Sequence, residues 1–87
     1  MKKYQPIKCG FHDYLEHFAT LREPVSVVYQ DMGRVIELQD VVIHDLSGGR
    51  DGEFIHIMKD TKEKLIRMDY LISISGINSN HFTENFC

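Results

Sequence analysis

Apolar residues along this chain first recur at helical spacing and then switch to alternation. Over residues 11–22, Phe11, Tyr14, Leu15, Phe18 and Leu21 or Arg22 follow the i, i+3, i+4, i+7 rule and form one apolar stripe. Gly10 is an acceptable N-cap, which would set Asp13 in the first turn, where the helix dipole favours a carboxylate. Pro24 ends the helix by driving Glu23 toward extended geometry. The period then becomes two. Val25, Val27 and Tyr29 alternate with Ser26, Val28 and Gln30 as a first strand, and the Asp31-Met32-Gly33-Arg34 turn follows. In the second strand Ile36 and Leu38 share one parity while Val41 and Ile43 take the other. One strand keeps a buried face through such a slip only with a bulge or sharp bend, here near Asp40.

Residues 45–53, with Gly48, Gly49 and Gly52, read as the longest loop, and residues 54–58, 63–68 and 70–75 as three more strands. The connection between the last two is short, at Asp69. From Gly76 the chain turns polar and is expected to fray, with residues 1–76 as one domain and 77–87 as a flexible tail. Pro6 makes residues 1–9 an extended lead-in. The expected fold class is α+β: an N-terminal helix, then a five-stranded, strongly bent antiparallel sheet curling into a small barrel of Sm-like appearance.

Composition narrows the function. A chain of 87 residues has room for one core, and buries only about 60–65% of the surface its unfolded form exposes. No apolar run approaches the roughly 18–20 residues that span a bilayer, and Tyr4-Gln5-Pro6 stands where a signal peptide needs an apolar stretch. The expected location is therefore the cytoplasm, where Cys9 and Cys87 stay reduced. Charge is uneven. Residues 9–58 hold nine acidic side chains against Arg22, Arg34 and Arg50, a net of −6, whereas lysines gather near the N-terminus and over 59–67. An acidic body repels nucleic acid and suits a basic partner.

Candidate chemistry is sparse. The five histidines (His12, His17, His44, His56, His81) include no i, i+4 pair, and there is no Cys-x-x-Cys, so chain spacing points to no metal. Ser47-Gly48-Gly49-Arg50-Asp51-Gly52 is not followed by a helix, so it is no phosphate loop; it reads as a mobile loop in which Ser47 or Arg50 makes a secondary contact. Neither a nucleophile elbow nor an acid–base pair is placed beside a cleft, so no enzyme and no cofactor are expected.

The N-terminal segment is more specific. Tyr4-Gln5-Pro6-Ile7-Lys8-Cys9, then Asp13, Leu15 and Glu16, gives Tyr-Gln-Pro-Ile-x-Cys-x-x-x-Asp-x-Leu-Glu. This closely resembles the Rof (YaeO) family, small bacterial proteins that inhibit the transcription termination factor Rho. The acidic-glycine turn after the first strand and Arg67-Met68-Asp69 leading into Tyr70-Leu71-Ile72-Ser73 are also similar to the family, so the likeness runs over residues 4–75. The resemblance implies an Sm-like barrel that binds the RNA-binding N-terminal domain of Rho, blocks RNA loading and lowers termination. The expected partner is thus a protein and the chain itself a monomer, with no direct nucleic-acid or membrane contact. Expected contacts are Asp13 and Glu16 above all, with His12, Tyr14, His17, Ser47 and Arg50; Ile7, Cys9 and Leu15 are expected to be core. Where family members often carry acidic residues after the cysteine, Gly10-Phe11-His12 stands here and removes negative charge. The alternative is an Sm-like RNA-binding regulator, against which the acidic stretch and the missing basic groove argue.

Overall fold

The computed structural model describes Ile7, residues 9–49 (Cys9 by its backbone) and residues 52–79. The extended lead-in expected over residues 1–9, the pairing state of Cys9 and Cys87, the position of Arg50 and the tail beyond Ser79 lie largely or wholly outside the described residues. The elements are α1 (Cys9–Leu21), β1 (Val25–Asp31), β2 (Arg34–Gly49), β3 (Gly52–Lys59), β4 (Lys62–Arg67), a 3₁₀ turn (Met68–Tyr70), β5 (Leu71–Ile74) and β6 (Ile77–Asn78).

The apolar stripe forms α1, with two corrections. The helix starts at Cys9, so Gly10 lies inside it rather than capping it, and its first turn holds no acidic residue. Asp13 therefore sits one turn further in, beyond the positive end of the dipole, and the helix gains no terminal support from it. At the other end the stripe stops at Phe18. Phe11 and Leu15 are fully buried and Tyr14 and Phe18 pack against the core, while Leu21 stays 46% exposed. Arg22 ends the helix in left-handed geometry (φ 56°), its N–H donating to the Phe18 carbonyl at 2.8 Å. That is the single-bond left-handed cap, with Pro24 two residues on to stop the helix.

Alternation makes β1 as read: Val25, Val27 and Tyr29 are each at most 5% exposed. The Met32-Gly33 turn has both residues at positive φ, 50° and 79°, the signature of the type I′ hairpin. β2 carries the bend that the parity slip requires. Val25 pairs with Val41 but Val27 with Leu38, so β2 holds one residue more than β1 there, and Asp40 takes φ 58°. A second irregularity follows at His44, because Ile43 pairs with Ile57 and Asp45 with His56. Each extra residue resets which parity points inward: Ile36 and Leu38, then Val41 and Ile43, then Leu46. The 16-residue β2 thereby serves two half-sheets, pairing with β1 through its first part and with β3 through its last.

The expected loop over 45–53 is mostly strand. Gly48 pairs with Glu53 and Gly49 with Gly52, so only residues 50–51 connect β2 to β3. Three glycines weaken a strand but do not prevent it when the neighbouring strand pairs every residue. The sheet is antiparallel and has six strands in the order β4-β3-β2-β1-β5-β6, one more than expected. The added strand, β6, follows a turn at Ser75-Gly76 with both residues again at positive φ, 50° and 81°. The edges β4 and β6 do not pair with each other, so the sheet is open where a closed barrel was expected. Between β4 and β5 the chain passes through the 3₁₀ turn, whose Met68 is fully buried. Phe11, Leu15, Val27, Val41, Ile43, Ile55, Met68 and Ile74 fill the core at 0% exposure. No helix among the described residues is long and apolar enough to cross a membrane.

Candidate functional site

Because Phe11 and Leu15 hold one side of α1 on the sheet, Asp13, Glu16, His17 and Thr20 are left exposed on the other. Thr20 turns its hydroxyl back to the Glu16 carbonyl at 3.0 Å. His12 lies at the border, its side chain 31% exposed, and organises the acidic groups. Its Nδ1 is 2.8 Å from Glu16 Oε1 one helical turn on, and its Nε2 is 2.8 Å from Glu53 Oε2 at the start of β3. Asp13 completes the group: one ligand atom each from His12, Asp13 and Glu16 lie within 4.8 Å of one another.

Three carboxylates, from Asp13, Glu16 and Glu53, therefore surround one imidazole at the junction of α1 and β3. Three carboxylates beside one imidazole make the patch acidic. The helix supplies Asp13 and Glu16 on adjacent turns of one face, and Glu53 is delivered by the pairing of β3 with the end of β2. Such a patch offers charge-assisted contacts worth about 1.5–3 kcal/mol each to Arg or Lys where water is excluded. At the rim each is worth about 0–1 kcal/mol.

The other expected contacts divide. His17 is exposed and stands edge-on to Phe18, ring centroids 5.5 Å apart. Tyr14 is half-buried, meets Phe18 at 4.8 Å in a T-shaped pair, and donates its hydroxyl to the Ile74 carbonyl at 3.3 Å. Burial pushes the Tyr14 phenol above its ordinary value, so it stays a neutral donor that ties α1 to β5. Ser47 does not join the patch: its Oγ is 2.7 Å from His56 Nε2 on β3. Arg50 lies outside the described residues. Ile7 packs against the core and Leu15 is within it.

Two features escape the sequence. Glu53 has no pattern linking it to α1, and only the strand pairing reveals it. A second cluster, His44, Glu63 and His56, gathers on β2, β4 and β3. Between α1 and β2 runs a shallow open groove lined by Glu16, Ala19, Thr20, Arg22, His44, Asp45 and Leu46, which joins the acidic patch to the edge of that cluster. Compared with protein-family models and with curated proteins, the chain matches none.

Proposed function

We propose that this chain is a protein-binding inhibitor of Rho-dependent transcription termination, acting in the cytoplasm. In this reading the acidic face of α1 occupies the RNA-binding site in the N-terminal domain of Rho. The observation that carries the proposal is the His12-centred patch, in which Asp13 and Glu16 converge on one side of the imidazole and Glu53 meets its other nitrogen. A site that grips phosphates must be basic, and a compact set of carboxylates competes for it without being RNA. The Tyr4–Glu16 motif and its likeness to the Rof family name the partner. The helix followed by a bulged, strongly bent β2 supports an Sm-like reading of the fold, as an open sheet. The RNA-binding alternative draws on the exposed Lys59, Lys62 and Lys64 of the β3–β4 hairpin, but Asp60 and Glu63 break that cluster and weaken a phosphate track.

The test uses labelled single-stranded RNA bound to Rho and follows its anisotropy as the chain is added. Release of the RNA, with the chain recovered on Rho, supports the proposal. A chain that leaves Rho alone and binds the RNA itself, with affinity falling steeply with salt, would replace it with the RNA-binding reading.

A further inference from the structure

The cluster of His44, His56 and Glu63 is separate from the acidic patch and has no part in the function proposed above. It is assembled by the second β-bulge. In a bulge the two residues of the bulged strand and the one opposite present their side chains to the same side of the sheet. Here His44 and Asp45 stand opposite His56, so the extra residue turns two histidines from neighbouring strands to one face. Glu63 on β4 pairs with Met58, two residues from His56 along β3, and its side chain reaches the same face.

The distances are those of a ligand set. His44 Nε2 is 2.7 Å and His56 Nδ1 3.8 Å from the same Glu63 oxygen, Oε2. In a tetrahedral site with metal–ligand bonds of about 2.0–2.1 Å, adjacent donor atoms stand about 3.3–3.4 Å apart, between those two values. The imidazole rings are nearly perpendicular (87°) with centroids 6.0 Å apart, so two ring nitrogens converge without stacking. A further observation singles out His44. Its buried Nε2 faces Glu63 Oε2 at 2.7 Å but outside hydrogen-bond geometry, so the two donor atoms point at one another without a well-aligned hydrogen between them. His56 is held in place as well: its Nε2 meets Ser47 Oγ at 2.7 Å while its Nδ1 faces Glu63 at 3.8 Å, and an Nε2–H donated to Ser47 would free Nδ1 to ligate.

We propose that His44, His56 and Glu63 bind a divalent transition-metal ion, with Zn²⁺ as the best-suited ion. Two imidazoles and one carboxylate are borderline donors that favour Zn²⁺ over the oxygen-seeking Ca²⁺ and Mg²⁺. Three protein ligands leave a fourth position for water or an incoming group. The ion also ties β2, β3 and β4 together on their outer face, so binding stabilises the fold by mass action.

The experiment titrates the tag-free, chelator-treated full chain with Zn²⁺ by calorimetry, and with Co²⁺ while following its visible spectrum. One equivalent of Zn²⁺ should bind, Co²⁺ should give a low-symmetry four- or five-coordinate spectrum, and Ca²⁺ and Mg²⁺ should not compete. Glu63→Gln and His56→Gln should each lower Zn²⁺ affinity at least tenfold, whereas His17→Gln should leave it unchanged. Glu63 is partly exposed, so Glu63→Gln is the decisive variant should a histidine variant fail to fold. Retention of one tight equivalent in folded Glu63→Gln would overturn the proposal. So would loss of binding in His12→Gln with both cluster variants unaffected, since the metal would then sit at the acidic patch.

Discussion

Arg67 and Asp69 form the interaction whose removal this fold should tolerate least. Arg67 ends β4 and Asp69 lies in the 3₁₀ turn that carries the chain to β5. The pair is bidentate: Arg67 Nε donates to Asp69 Oδ1 at 3.0 Å and Nη2 to Oδ2 at 2.7 Å, with each side chain only 7% exposed. The guanidinium also stacks over the Tyr70 ring at 4.6 Å and donates from Nη1 to the Tyr70 hydroxyl at 3.2 Å. Asp69→Ala deletes the carboxylate and leaves a guanidinium that can never deprotonate in a nearly dry site. Breaking one side of a buried pair costs about 3–5 kcal/mol, mostly because the remaining charge keeps its desolvation cost and loses its bidentate counter-charge. A domain of 87 residues has a total stability of only about 4–13 kcal/mol. At about 4–8 °C per kcal/mol, Tm should fall by about 12–40 °C. Urea unfolding followed by circular dichroism, with calorimetry for Tm, reads the effect directly. The double variant Arg67→Met/Asp69→Leu should recover most of the loss, because it removes both charges and keeps the volume. A Tm for Asp69→Ala within a few degrees of the parent would refute the reasoning, since the guanidinium would then have been solvated throughout.

Three other outcomes are expected. Met32→Asn should stabilise by ~1 kcal/mol in urea unfolding, since Met32 is 95% exposed at φ 50° in the Met32-Gly33 hairpin, where Asn-Gly is preferred. Tyr14→Phe should cost about 0.5–1.5 kcal/mol through the lost bond to Ile74, yet leave affinity for Rho within twofold; a large drop in affinity would move Tyr14 from scaffold to interface. His12→Gln should weaken Rho binding up to about fivefold, because it removes the imidazole that bridges Glu16 and Glu53; unchanged affinity would reject the organising role of His12.

The apolar periodicity carried most of the fold. The Phe11–Phe18 stripe, the Val25-Val27-Tyr29 alternation and the parity slip at Asp40 each became the helix, strand and bulge they implied. Those signals are local, so they survive folding unchanged. The misreadings share a cause. Glycine density at 48–52 suggested a loop, but pairing against β3 outweighed intrinsic preference and made a hairpin of it. The polar residues from Gly76 onward suggested a frayed end, yet Ser75 and Gly76 at positive φ turned the chain back onto β5. Barrel closure depends on how edge strands meet, which no local pattern encodes. The same error hid chemistry. Asp13 and Glu16 are one helical face and were legible, whereas Glu53 joins them only after residues 45–53 are folded as strands. His44, His56 and Glu63 are scattered in sequence and meet only across three paired strands. Spacing along the chain detects ligand sets on helices and turns; a sheet assembles them sideways.

The most direct measurement is the affinity of Rho for the charge-reversed variant Asp13→Lys/Glu16→Lys beside that of the parent. Both side chains are exposed and lie outside the core, so the variant should fold with the parent's circular dichroism spectrum. Binding should fall by two orders of magnitude or more, on the order of 3 kcal/mol for two attractive contacts made repulsive. A folded variant that holds Rho as tightly as the parent would contradict docking through the acidic face of α1.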